Sequence, residues 1–321
     1  MGQLRLARGV SVLRRRDGYG PGSSTSHPPD RQTHVSNEIR AVLTRHLPGY
    51  EIRSLAKLGG GLDNVVYEVN GELVVRLSRQ ADPATRGDST RREAELLAAL
   101  TELSTLRIPE LVFADVEAGA LAYAKLPGLP LNEHPVPEPT RLAAPLGEFL
   151  GRLHRAPLET FEHLAPRDTE PPTTWLDEAE QGFGEIARNL PAATRGLVED
   201  FLGQPPPPET HTVTFCHNDL GAEHLLVDVD ASTITGVIDW ADAAIADPVH
   251  DLALIYRDLG PEIFDLTLAH YEGEWTDAHR ERTLFYARCA LIEDIAYGLR
   301  TGARVYAEAG LDHLAWTFAQ L

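Results

Sequence analysis

The sequence predicts an α+β fold of two lobes: a small five-stranded antiparallel sheet with one helix, then a larger, mainly helical lobe. Three observations predict it. Apolar, β-prone runs separated by glycine turns crowd residues 55–126. Amphipathic helical spacing takes over from Thr140 onward. Inside that helical half a single polar hairpin stands out, its strands at Leu225 to Val227 and Ile234 to Ile238. The expected division is a disordered leader over 1–34, one lobe over 35–127 and the other over 128–321.

The leader reads as an extension because residues 18–29 are rich in Gly, Pro and Ser, and its basic stretch lacks the apolar core and cleavage site of a secretory signal. A helix is expected over 36–47, with Ser36 as cap and Ile39, Val42 and Leu43 on one face. Residues 55–69 read as strand, glycine turn, strand; Asn70-Gly71 turns the chain into a third strand ending at Leu77. A helix over 91–103 places Leu96, Leu97 and Leu100 together, and two more strands follow over 111–116 and 120–126. Helices are then expected over 142–154, 175–189 and 194–202, and after the hairpin over 250–259, 262–271, 277–302 and 311–319.

Composition narrows the class. The 321 residues are 43% hydrophobic, enough for two lobes with real cores. No apolar run approaches the roughly 20 residues of a membrane span, so no membrane partner is expected. Cys216 and Cys289 are the only cysteines and cannot build a disulfide framework; a reducing, cytoplasmic setting is the simpler reading. The net charge of -19 argues against nucleic acid and suits a cationic small molecule, although solubility alone explains it equally well.

The hairpin carries the chemistry. Asp219 and His224 precede its first strand and Asp239 ends its second. A divalent cation held beside a free carboxylate is what phosphoryl transfer needs: ligands to neutralise phosphate oxygens and a base for the hydroxyl proton. Imidazole is a less natural Mg²⁺ ligand than oxygen, which makes His224 unusual. In the first lobe, Gly59, Gly60 and Gly61 between two strands could let backbone N–H groups approach a phosphate, though a plain glycine-rich hairpin explains them as well. Arg76 on the third strand and Glu93 on the following helix complete the order loop, cation, helical acid. Asp247 and Asp251 read as helix-capping residues. The adjacent His250-Asp251 pair would also suit a metal-dependent phosphohydrolase, but His154, His270 and His279 show no supporting pattern. Asp258, Glu262, Glu293 and Asp294 could meet a cationic substrate, with a solvated helix face as the plainer role for each.

Together, His217-Asn218-Asp219 with His224, and Gly236-Val237-Ile238-Asp239-Trp240, resemble the aminoglycoside phosphotransferase family of antibiotic kinases, from about residue 49 to the C-terminus. His224, and the Tyr297-Gly298 and Tyr306 to Leu311 segments, are similar to the aminoglycoside 2''-phosphotransferases; the histidine, Ile238-Asp239-Trp240 and the Arg76 strand also resemble the macrolide 2'-phosphotransferases. The resemblance implies a protein-kinase-like fold and a monomer in which Asp219 is the base and His224 and Asp239 hold Mg²⁺. It implies that Gly59, Gly60, Gly61, Asp63 and Asn64 cover the triphosphate of ATP or GTP, and that Arg76, set by Glu93, grips its α- and β-phosphates. The resemblance also implies that Tyr123 and Lys125 belong to the hinge beside the nucleotide base. The implied acceptor is a hydroxyl of a cationic antibiotic, aminoglycoside first and macrolide second. A kinase of another hydroxyl metabolite and a nucleotide-binding pseudokinase are the remaining readings.

Overall fold

A computed structural model describes residues 29–59 and 64–319. The expected disorder of the leader falls almost wholly outside the described residues, as do Gly60, Gly61 and Asp63. Two compact units result, both discontinuous in sequence. The first takes residues up to Glu102 with Ile108–Leu126 and Ile238–Asp242; the second takes Leu103–Arg107, Pro127–Val237 and Ala243–Leu321. The short excursions at 103–107 and 238–242 have no counterpart in the expected boundary at 127.

The first unit is built on five antiparallel strands: β1 (Leu55–Gly59), β2 (Asn64–Val69), β3 (Leu73–Ser78), β4 (Leu111–Asp115) and β5 (Ala120–Ala124), in the order β1-β2-β3-β5-β4. The β2–β3 turn needs two residues with positive φ, and Asn70 (57°) and Gly71 (73°) supply them. One sheet face presents Val65, Tyr67, Val69, Val75 and Leu77 to helix α1 (Pro29–His46), whose Ile39, Val42 and Leu43 are buried against it. Each such side chain contributes about 1.5–3 kcal/mol by leaving water. The helix starts at Pro29, earlier than Ser36. Proline is well suited to a first turn because its missing N–H has no helical partner there. Likewise α2 (Pro83–Leu103) starts eight residues before the expected Arg91. Asp82 accounts for that start: its carboxylate accepts the Thr85 N–H at 2.8 Å and so satisfies an end-of-helix donor.

The second unit contains helices α3 (Ala143–His154), α4 (Pro172–Ile186) and α5 (Ala192–Leu202), then α6 (Val249–Leu268), α7 (Asp277–Thr301) and α8 (Arg304–Thr317). Within α6, Gly260 adopts φ 77° and Pro261 follows, so the helix breaks where two separate helices were expected to meet. The last helix begins at Arg304, ahead of the expected Leu311. The strands here are short: β6 (Leu129–Pro130), β8 (Leu225–Asp228) and β9 (Thr233–Val237) form one sheet, and β7 (Thr214–Cys216) pairs with β10 (Ala244–Ala246). The β8–β9 hairpin pairs Leu225 with Val237. His224 therefore lies one residue before the first strand, and Asp239 two residues past the second.

Candidate active site

Strand β7 ends at Cys216 and delivers a sharp turn at His217-Asn218-Asp219, where Asn218 takes φ 65°. Asparagine tolerates this left-handed region better than most residues because its short polar side chain bonds locally. Here the side-chain oxygen lies 2.9 Å from His250 Nδ1, and the amide nitrogen donates to Asp168 at 3.3 Å. Asp219 emerges from this turn 7% exposed.

Fully buried Asp251 holds the turn from behind. Its Oδ2 accepts the His217 N–H at 3.0 Å and its Oδ1 the Asn218 N–H at 2.7 Å. His154 Nε2 donates to the same Oδ2 at 3.0 Å, and the other ring nitrogen lies 2.9 Å from the Tyr271 hydroxyl. Burial alone would raise the Asp251 pKa; the His154 hydrogen bond and charge, the charge of His217 and the Asn218 N–H outweigh it and hold the carboxyl below its ordinary value. Asp251 therefore anchors the turn and does not cap its own helix as expected, and nothing in its local sequence announces this, because its partners come from residues far along the chain.

The cluster of His154, Cys216 and Asp251 brings three ligand-type atoms within 4.8 Å. Burial, and then the Asp251 charge, push the Cys216 thiol well above its ordinary pKa, so the thiolate a metal would require is disfavoured. His154 and Asp251 are engaged with each other instead.

His224 is 1% exposed, and its Nδ1–H donates to the Asp219 carbonyl at 2.6 Å. That bond fixes the tautomer: the lone pair sits on Nε2, the form in which imidazole ligates a metal. Nδ1 also lies 3.7 Å from an Asp219 carboxylate oxygen. The donor chemistry of His224 therefore fits a divalent cation.

Within the first unit, Arg76 on β3 and Glu93 on α2 form a direct ion pair, with 16% and 15% of their side chains exposed. Burial pushes the Glu93 pKa up; Arg76 opposes this, and the charge of Asp239 adds to the rise. Asp239 itself has φ 63°, an uncommon conformation outside glycine. Gly59 ends β1 and Asn64, 7% exposed, opens β2. Tyr123 pairs with Val74 across β5 and β3. The Lys125 backbone N–H donates to the Glu72 carbonyl at 2.8 Å, while its ammonium is held by Glu68.

Ala222 and Glu223, between Asp219 and His224, face a cavity of about 280 Å³ within the second unit. Glu223, Arg257, Asp258, Asp294 and His313 are its ionisable lining side chains; Leu131, Val136, Ile263, Leu291 and Val305 are among its apolar lining. Of the four acids expected to meet a cation, Asp258 and Asp294 line the cavity. Glu262 is exposed on α6 and Glu293 is buried on α7, and neither belongs to the lining. Asp258 accepts two hydrogen bonds from Arg257, at 2.6 and 2.9 Å, and the Ala222 N–H at 2.8 Å. Asp294 lies 2.6 Å from the same guanidinium and Glu223 4.0 Å. Glu223 and Arg257 are contributors that the sequence reading passed over; a charged residue beside Asp258 gave no sign that it faces inward.

Comparison with known proteins agrees with this architecture. The model of the phosphotransferase enzyme family matches residues 54–286. Viomycin phosphotransferase of Streptomyces vinaceus is 28% identical over 249 residues, which span 74% of this chain and 84% of that protein. Among solved structures, the GDP and kanamycin complex of an APH(2'') enzyme superposes with a TM-score of 0.65 at 24% identity, covering 87% of this chain and 97% of the other. The apoenzyme of a macrolide 2'-phosphotransferase from Brachybacterium faecium gives 0.57 at 24% identity, covering 87% and 98%. At these identities the structural likeness speaks to the fold.

Proposed function

The chain belongs to the phosphotransferase enzyme family, and from that footing we propose that it moves the γ-phosphate of ATP or GTP to a hydroxyl of a cationic antibiotic. The observation that carries this reading is the turn at residues 217–219. Two backbone N–H groups clamped by Asp251 and a left-handed Asn218 deliver a carboxylate at a fixed place, as a positioned base requires. Asp219 accepts the proton of the acceptor hydroxyl as that oxygen bonds to the γ-phosphorus and the bond to the β-phosphate oxygen breaks. Arg76, with its guanidinium held by Glu93, offsets phosphate charge. His224 through its imidazole and Asp239 through its carboxylate would hold Mg²⁺, which would supply positive charge to neutralise the phosphate oxygens.

The acidic lining of the cavity supports an aminoglycoside acceptor. The apolar lining residues Leu131, Val136, Ile263, Leu291 and Val305 support the second reading, a macrolide. The cavity's volume suits one amino sugar of either class rather than a whole antibiotic. The test incubates the purified chain with Mg²⁺, ATP or GTP, and kanamycin or erythromycin, and follows phosphorylated drug by mass spectrometry. Formation of a phosphorylated drug is expected. Nucleotide binding with no phosphorylated product from either class would overturn the antibiotic reading.

A further inference from the structure

We infer that Arg257 is a specificity-determining residue, a built-in counter-cation that occupies the cavity's acids and limits how many positive charges an acceptor can place there. The inference rests on the proposed function and deepens it by choosing among cationic acceptors. Its basis is the distribution of charge. Three carboxylates line the cavity, from Glu223, Asp258 and Asp294, and all three face one guanidinium. Asp258 is taken by both edges of a two-pronged contact and Asp294 by a separate nitrogen. Three carboxylates against one guanidinium leave at most two negative charges for an incoming ligand. Arg257 is itself 5% exposed, so this charge pair is screened little by salt.

A polycation entering the cavity must share Asp258 and Asp294 with a fixed positive charge that it also repels. An acceptor with a single amine on an apolar body faces less of this competition, because it needs only one share of that charge. It can use the residual negative charge and lay its apolar face on Val136 and Ile263. Arg257 therefore shifts the preference from aminoglycoside-like toward macrolide-like acceptors. Arginine suits this role because its charge persists at any working pH and its planar fork matches a carboxylate.

The experiment measures binding of kanamycin and erythromycin by titration calorimetry, without nucleotide, to the wild-type chain and to Arg257→Gln. Kanamycin should bind about tenfold tighter or more to the variant, while erythromycin stays within about threefold of wild type. Removing Arg257 leaves buried carboxylates without their partner and can unfold the chain. The same substitution is therefore also made on an Asp294→Asn background, where one fewer carboxylate is left. The double variant should bind kanamycin about tenfold tighter than Asp294→Asn alone. Kanamycin affinity that is unchanged or weaker on removing Arg257, both drugs moving together, or no kanamycin binding in any of the four chains would each overturn the inference. Because binding rather than turnover is read, failure of the wild type to phosphorylate either drug would strike the proposed function and leave the Arg257 result to be judged separately.

Discussion

Asp251 Oδ1 accepts the backbone N–H of Asn218 at 2.7 Å, so a carboxylate at the start of α6 fixes the turn that presents Asp219. Its other oxygen takes the His217 N–H and the His154 ring, which leaves the carboxylate with three donors in a fully buried setting. Asp251→Ala strands those donors. A stability loss of about 3 kcal/mol or more is expected, read as a lower urea midpoint. In the folded fraction kcat should fall by about 10²-fold with nucleotide KM nearly unchanged, because the base is displaced and not the nucleotide site. A kcat that stays at wild-type level would show that the turn holds without Asp251.

Asp219→Ala removes the proposed base and leaves the backbone turn. Transfer should fall by about 10²- to 10⁴-fold. Nucleotide affinity, followed by titration with a fluorescent analogue, should stay near wild type. Lost nucleotide binding with intact chemistry would reverse the assignment.

Arg76→Ala breaks the pair with Glu93 and removes the proposed phosphate grip. Nucleotide KM should rise about tenfold or more, and Arg76→Lys should recover much of it, since the restored cation can still meet both phosphate and Glu93. Equal KM values in all three proteins would mean that the pair is only structural.

Asp115, 4% exposed at the end of β4, accepts hydrogen bonds from Arg45 at 2.6 Å and from the Ala118 N–H at 3.0 Å, and lies 2.9 Å from His46 Nε2. Burial raises its pKa, but the Ala118 N–H, His46 and Arg45 together outweigh it and the net shift is downward. A carboxyl with a depressed folded pKa stabilises above its unfolded value, and that contribution fades as pH falls through the folded value. The stability gap between wild type and Asp115→Asn should therefore be full at neutral pH and shrink below about pH 4. Urea midpoints across that range check the sign; a gap that widens on acidification contradicts it.

The sheet was legible because its information is local. Asn70-Gly71 dictates a turn through positive φ, and alternating apolar residues (Val65, Tyr67, Val69 and Leu73, Val75, Leu77) set the buried face beside it. The helix starts at Pro29, Pro83 and Arg304 were less legible, since the apolar periodicity begins only a turn or more later. Arg76 and Glu93 were readable as a pair because the order of loop, strand and helix constrains them. Asp251 and Arg257 were not. Asp251 matters through His154, His217 and Asn218, and Arg257 through Asp294 and Glu223 as well as its neighbour Asp258; apart from that last pair, no short window of sequence contains both sides of these contacts. The acids at 262 and 293 show the converse: charge in a plausible segment does not fix which way a helix turns its face.

The five residues Ile238–Asp242 complete a unit whose other members are all made before residue 127. During synthesis the sheet therefore leaves the ribosome without the segment that brings Asp239's charge to Glu93. A sheet folded at that stage would hold the Arg76–Glu93 pair without the Asp239 charge that raises the Glu93 pKa in the finished protein, so completing the unit would bring a second acid to that pair at some electrostatic cost. A fragment ending near Leu126 would accordingly differ from the native unit in charge as well as in length.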